Sequence, residues 1–136
     1  MKAGGEWIMK KILTLKIRLL DTHEVASDRV KIVQIPFEGT AEGEYFRGDI
    51  LPGAVDTQTV YPDGTGRLSA RYTLSGIDPE GMPCKLYIDN TAELGSEETH
   101  PTVVTDSPAL SFLMESELTG RLQIKEDGIV ITIYEK

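Results

Sequence analysis

The feature that most constrains this chain is a period-two alternation of apolar and polar residues that returns along most of its length. Within residues 12–20, Leu13, Leu15, Ile17 and Leu19 fall on one side of an extended chain, and Thr14, Lys16 and Arg18 on the other. A helix would scatter those charges around its circumference, whereas a strand half buried against a core sorts them onto opposite faces. The sorting recurs at 84–90, where Leu86 and Ile88 alternate with Lys85, Tyr87 and Asp89. It recurs again at 117–125, with Leu118, Gly120, Leu122 and Ile124 in line, and at 129–134, with Ile129, Ile131 and Ile133. Further strands are predicted over 29–37, 45–51, 55–61 and 66–74.

The residues between these runs punctuate them. Pro52-Gly53 signals a turn, and Asp63-Gly64 and Asp127-Gly128 each suit a two-residue hairpin turn, which needs positive φ angles. Residues 38–44 read as a glycine-punctuated connection, 75–83 and 91–99 as loops, and 102–105 as a short extended piece. Gly48, inside a predicted strand, marks a bulge, a bend or the close approach of another backbone. Asp106-Ser107-Pro108 reads as the start of a short helix reaching about Met114. About eight antiparallel strands and one short helix predict an all-β antiparallel barrel, with a two-sheet sandwich as the alternative. Closure removes the exposed edges that so many isoleucine-rich strands would otherwise have to protect.

With 136 residues, one domain is expected over 9–136, long enough to bury a core without staples, preceded by a flexible extension over 1–8. Lys10 and Lys11 followed by Ile12 and Leu13 open like a signal peptide, but Lys16 and Arg18 interrupt the apolar run, so the segment reads as structure. No stretch approaches the ~18 apolar residues of a membrane-spanning helix. A net charge of −8 disfavours nucleic acid and anionic membrane surfaces as partners. A homo-oligomer is compatible with the sequence. The single cysteine, Cys84, excludes an intramolecular disulfide and suits a reducing compartment such as the cytoplasm. His23 and His100 are too far apart in sequence to form a recognisable zinc cluster with it, and the acidic stretch Glu97, Glu98, His100 reads as an exposed loop, so no metal is expected. No phosphate loop or dinucleotide fingerprint is present, so no cofactor is expected, and Ser107 and Ser111 lack the context of a nucleophile elbow.

Two ordered runs carry a family resemblance: Ile35-Pro36-Phe37-Glu38-Gly39-Thr40-Ala41-Glu42-Gly43, and Arg47-Gly48-Asp49-Ile50-Leu51-Pro52-Gly53 followed by Asp56 and Gln58. With Ala70-Arg71-Tyr72-Thr73-Leu74 and Leu86-Tyr87-Ile88-Asp89-Asn90, they resemble the uncharacterised family known as domain of unknown function 3237. The resemblance runs over most of the chain and implies a small β-barrel of a kind that often holds a ligand, with no established reaction. Ala54 stands where the family usually has a second glycine, and Thr57 where an aromatic residue commonly sits.

The candidate ligand-binding residues are Asp56, Gln58, Arg71, Tyr72 and Asn90. A two-residue turn at Asp63-Gly64 would set Asp56 opposite Arg71 and Gln58 opposite Ser69, and an ion pair beside an amide could bind a carboxylate or an enolate. The plainer reading of that group is a surface salt bridge on a solvated face. A bulge at Gly66 would shift the register by one and separate the two charges. Tyr72 and Asn90 share faces with apolar neighbours, so they are expected to point inward, where their polar tips need partners. Cys84 falls on the apolar face of its strand and is expected to be buried and inert. Three functions stay open: a barrel that binds a small, mostly apolar organic ligand, which the lack of a histidine-centred acid/base set favours; a cofactor-free isomerase, cyclase or lyase using Asp56 or Tyr72 for proton transfer; and, more plainly, a scaffold subunit with a filled core and no pocket.

Overall fold

The structure, a computed structural model, describes residues 9–136 throughout and, of the first eight, only two short paired strands, β1 (Lys2–Ala3) and β2 (Glu6–Trp7). Apart from that pairing, the extension expected over 1–8 lies outside the described residues. Ten strands and one short helix follow: β3 (Lys10–Leu19), β4 (His23–Ala26), β5 (Lys31–Glu42), β6 (Arg47–Ile50), β7 (Val55–Val60), β8 (Gly66–Ile77), β9 (Pro83–Glu93), β10 (Glu98–Thr105), a 3₁₀ helix (Pro108–Met114), β11 (Leu118–Lys125) and β12 (Gly128–Glu135).

Neighbouring strands follow one another in chain order and run antiparallel. β8 pairs with β9, β9 with β10, β10 with β11 and β11 with β12, and β12 returns to β3. Two staves are split. β3 and β4 lie end to end along one side of β5, and β6 and β7 along its other side, where both also pair with β8. The break between β6 and β7 falls at Pro52-Gly53, as the turn signal predicts. The result is the expected closed antiparallel barrel of eight strands, and not the sandwich.

Alternation decides what fills it. Leu13, Leu15 and Ile17 of β3 face the same interior as Ile133, Ile131 and Ile129, their partners on β12. Leu15, Leu74, Leu86, Ile88 and Ile133 are essentially inaccessible. The 3₁₀ helix joins β10 to β11 and inserts Leu110 and Leu113 into the core at that end. At the other end the β11–β12 hairpin projects beyond the core, for Ile124 continues the inward line of Leu118, Gly120 and Leu122 yet is 81% exposed.

Several sequence expectations need correction. Residues 38–44 are largely strand, the second half of β5. Gly39 sits where β5 runs tightly against β3, and a Cβ there would come 2.0 Å from the Lys16 carbonyl oxygen, so this glycine serves close approach and no turn. The polar stretch 91–99 is mostly strand as well, because β9 runs to Glu93 and β10 starts at Glu98. His23 lies in β4, paired with Gln34. The last hairpin turns on Glu126 and Asp127, with Gly128 already paired to Lys125. Ser107 makes no side-chain cap bond to the helix. Its hydroxyl donates instead to Asp78 Oδ2 at 2.9 Å, tying the helix start to the β8–β9 loop.

Candidate functional site

The register of the β7–β8 hairpin decides which candidate residues meet. Tyr61 N–H donates to the Thr65 carbonyl (2.8 Å) and Gly64 N–H to the Tyr61 carbonyl (2.9 Å), which leaves three residues, Pro62, Asp63 and Gly64, in the loop. Gly64 takes a φ of 86°, the left-handed position of a three-residue hairpin, while Asp63 Oδ1 accepts from Thr65 N–H at 3.0 Å. Asp56 therefore lies opposite Ala70, and Gln58 opposite Leu68. The expected pairing of Asp56 with Arg71 and of Gln58 with Ser69 is overturned. The shift is by one residue, and because strand side chains alternate, one residue puts the two charges on opposite faces of the sheet.

Arg71 is on the outside. It stands opposite Val55 and Asp89, and its Nε lies 3.6 Å from Asp89 Oδ2 with 65% of the side chain exposed. Ser69 donates to the other Asp89 oxygen at 3.2 Å. These residues, with Gln34, Thr57 and Arg67, line an open polar groove of about 1090 Å³ on the outer face. His100 reaches the same groove, and among the described residues no group of three or more His, Cys, Asp or Glu is placed to hold a metal ion.

Asp56, Gln58, Tyr72 and Asn90 share the inner face. One cross-barrel row runs Ile35, Asp56, Ala70, Asn90, Pro101, each opposite the next. Adjacent strands are spaced about 4.8 Å, so Asp56 and Asn90 sit roughly 10 Å apart with only the Ala70 methyl between them. Tyr72 lies two residues along β8 from Ala70, its ring edge-on to Phe37 with centroids 5.2 Å apart. Two residues along β7 from Asp56, Gln58 Nε2 donates to Asp56 Oδ2 at 3.1 Å. Thr99 of β10 turns inward near Asn90, and sequence reasoning missed it by reading its segment as loop; the alternation of Thr99, Pro101 and Val103, all buried, was the available signal.

This wall carries buried polar atoms that no other described part of the chain meets. Among the described residues, four buried side-chain polar atoms have no hydrogen-bond partner: Asp56 Oδ1, Tyr72 Oη, Asn90 Oδ1 and Thr99 Oγ1. All four belong to inward positions on β7, β8, β9 and β10. Burial raises the Asp56 carboxyl above the ordinary aspartate pKa, and the Gln58 amide opposes that only in part. Burial likewise pushes the Tyr72 phenol up, so it keeps its proton. The arrangement offers acceptors at Asp56 and Asn90 and hydroxyl donors at Tyr72 and Thr99.

A buried carboxylate that sequence reasoning did not single out, Asp78, behaves differently. Its Oδ1 accepts from Glu80 and Met82 N–H at 2.9 and 3.1 Å, and its Oδ2 from Ser107. With both oxygens used, Asp78 is a structural clasp. Cys84 is buried in line with Leu86 and Ile88, as expected, and burial, with Asp78 and Asp106 nearby, raises its thiol pKa.

The family model described as Protein of unknown function (DUF3237) matches residues 9–94. The chain belongs to that family. The matched region carries Asp56, Gln58, Tyr72 and Asn90, while Thr99 lies beyond it. A curated UPF0311 protein of Clostridium acetobutylicum is 42% identical over 52 residues, spanning 38% of this chain and 30% of that relative. A crystal structure of a protein of unknown function from the same organism superposes on this DUF3237 barrel with a TM-score of 0.80 at 24% identity, covering 96% of this chain and 97% of that one. A β-barrel-like protein from Acinetobacter baumannii follows at 0.78 and 21%, covering 94% of each. A structure described as an enzyme from Penicillium herquei gives 0.77 at 15%, covering 95% of this chain and 94% of that one. At these identities the likeness is one of fold. Among the described residues no helix is long and apolar enough to cross a membrane.

Proposed function

We propose that the barrel interior binds a small, mostly apolar organic molecule, held at its polar end by Asp56, Gln58, Tyr72 and Asn90, with Thr99 beside them. The observation that carries this reading is the gathering of all four unpartnered buried polar atoms on one interior wall. Native proteins leave few buried polar groups unpaired, and each costs about 1–3 kcal/mol. A ligand that supplies the missing partners recovers that cost. Ile35, Phe37, Leu68 and Ile88 on the same wall suit its apolar body. Arg71, on the outer face, takes no part. The single buried thiol suits a cytoplasmic setting, which cell fractionation tests.

The experiment is thermal denaturation against a panel of one- and two-ring apolar compounds bearing a polar group. Binding raises the melting temperature by mass action. Ala70→Leu puts a larger side chain between Asp56 and Asn90 and should abolish the rise. A rise that survives this substitution would locate binding elsewhere, the outer groove first, and refute the interior site.

One observation favours a second reading, a cofactor-free isomerase, cyclase or lyase. Asp56 is a carboxyl whose pKa burial holds above the ordinary value, which suits a general base, with Tyr72 as the alternative proton-transfer group. Chemical change of a bound compound, lost in Asp56→Asn, would select it.

A further inference from the structure

We infer that the interior site recognises an uncharged hydroxyl, phenolic, enolic or alcoholic, and rejects carboxylate, ether and ammonium groups of the same size. The inference rests on the interior-binding reading above and deepens it by naming the ligand's polar end.

The argument is one of hydrogen-bond complementarity. The unpartnered set is mixed: Asp56 Oδ1 and Asn90 Oδ1 can only accept, whereas Tyr72 holds a hydroxyl proton that needs an acceptor; the Thr99 hydroxyl lies over Gly120 of β11, on the far side of the Asn90 row from Tyr72. The Tyr72 proton stays in place because burial disfavours the phenolate. A ligand atom that completes this wall must donate to a carboxylate or amide oxygen and accept from a hydroxyl. A hydroxyl does both. A carboxylate or an ether only accepts, and an ammonium only donates.

Charge narrows the class further. Among the described residues, Asp56, Gln58, Tyr72, Asn90 and Thr99 are joined on this wall by no Lys, Arg or His. Arg71, the cation that would have favoured an anion, is on the outer face. The nearest inward-facing cation on the adjacent strand is Lys31, four residues along β5 from Ile35, the partner of Asp56. At the rise of an extended strand that is about 13 Å away, at the rim. An anionic ligand group beside Ala70 would meet the Asp56 carboxylate with no cation to offset the repulsion, and its desolvation would go uncompensated. An ammonium would satisfy Asp56 but leave the Tyr72 proton without an acceptor.

The test uses four one-ring probes of similar size: phenol, anisole, benzoate and benzylamine, titrated into the ¹⁵N-labelled full chain with backbone amide shifts as the readout. Phenol should move the amides of Ala70 and Asn90, and the other three should bind roughly tenfold more weakly or worse, as expected where a site built for a hydroxyl meets an analogue lacking it. Tyr72→Phe, which removes one hydroxyl, should weaken phenol about tenfold with the spectrum otherwise intact, and Asp56→Ala should do the same. Should Asp56→Ala fail to fold, Tyr72→Phe carries the test alone. If anisole, benzoate or benzylamine moves the same amides with an affinity close to that of phenol, the hydroxyl inference is overturned while interior binding stands. If no probe moves them, or shifts are confined to outer-groove residues such as Ser69 and Arg71, interior binding itself fails and takes the inference with it.

Discussion

Replacing Asp56 with asparagine should make this protein more stable at neutral pH, although it removes a charged group from a proposed binding site. One carboxylate oxygen accepts from Gln58, and the other is buried with no partner. Because burial raises the folded-state pKa above the unfolded value near 4, the folded protein binds the proton more tightly than the unfolded chain. The relative benefit of Asp56 is therefore present below about pH 4 and is lost as the pH rises through the raised pKa, above which the buried charge is a penalty. An unpartnered buried polar group costs about 1–3 kcal/mol, and a charged one more. Asp56 retains some solvent contact, which screens the charge, so Asp56→Asn should recover only about 1 kcal/mol at pH 7. For a domain of this size that is about 4 °C in melting temperature. Urea denaturation of both proteins at pH 7 and pH 3.5 measures it: the variant should lead at pH 7 and the difference should close at pH 3.5. A variant less stable at pH 7, or a gain unchanged at pH 3.5, would refute the claim that the carboxylate is buried at a cost.

On the outer face, Arg71→Met should cost at most about 1 kcal/mol in the same assay, since its partner Asp89 is reached across solvent. A loss of several kcal/mol would mean that Arg71 lies inside after all. The Cys84 thiol should resist labelling by an aromatic disulfide in native buffer and react fully in denaturant, because it is buried and its pKa is raised. Gly120→Ala should cost about 1–3 kcal/mol, because its Cβ would stand 2.1 Å from Thr99 Oγ1 and force that side chain aside; unchanged stability would show that Thr99 is free to turn. Leu74→Ala, at a fully buried position, should cost about 2–5 kcal/mol.

The barrel was legible because its strands carry clean alternation, and because Tyr72 and Asn90 sit among residues whose burial alternation alone dictates. The inward placement of Asp56 was not, and the reason is local. Asp63-Gly64 invited a two-residue turn, but Pro62 precedes it, and the fixed φ of proline suits the second position of a type I turn with Gly64 at the fourth. That turn takes three residues into the loop and moves every β7 side chain to the other face. The glycines misled in the opposite sense. Gly39 looked like punctuation for a loop, yet it sits inside a strand because β3 leaves no room for a Cβ. Thr99 stayed hidden because its neighbours Glu97, Glu98 and His100 gave the segment the composition of a surface loop, while its burial depends on pairing with β11, which no local pattern announces.

The same register change that undid the expected ion pair sharpens the functional argument. With Asp56 opposite Arg71 on one face, the two charges would have satisfied each other, and the pair would have needed no ligand. With Arg71 outside and engaged with Asp89, Asp56 is left inside with an amide for company and an oxygen without a partner. A sequence under selection for stability alone has simple remedies at such a site, since an asparagine, a threonine or a valine at position 56 would suit the strand without burying a charge. A carboxyl there, in a row with Asn90 and beside Tyr72, is a local conflict that stability alone does not explain. By contrast Asp78, the less exposed of the two, has both oxygens occupied by the loop and the helix start it holds together. The two aspartates thus separate by their hydrogen bonds: both Asp78 oxygens have partners in the chain, and one Asp56 oxygen has none among the described residues.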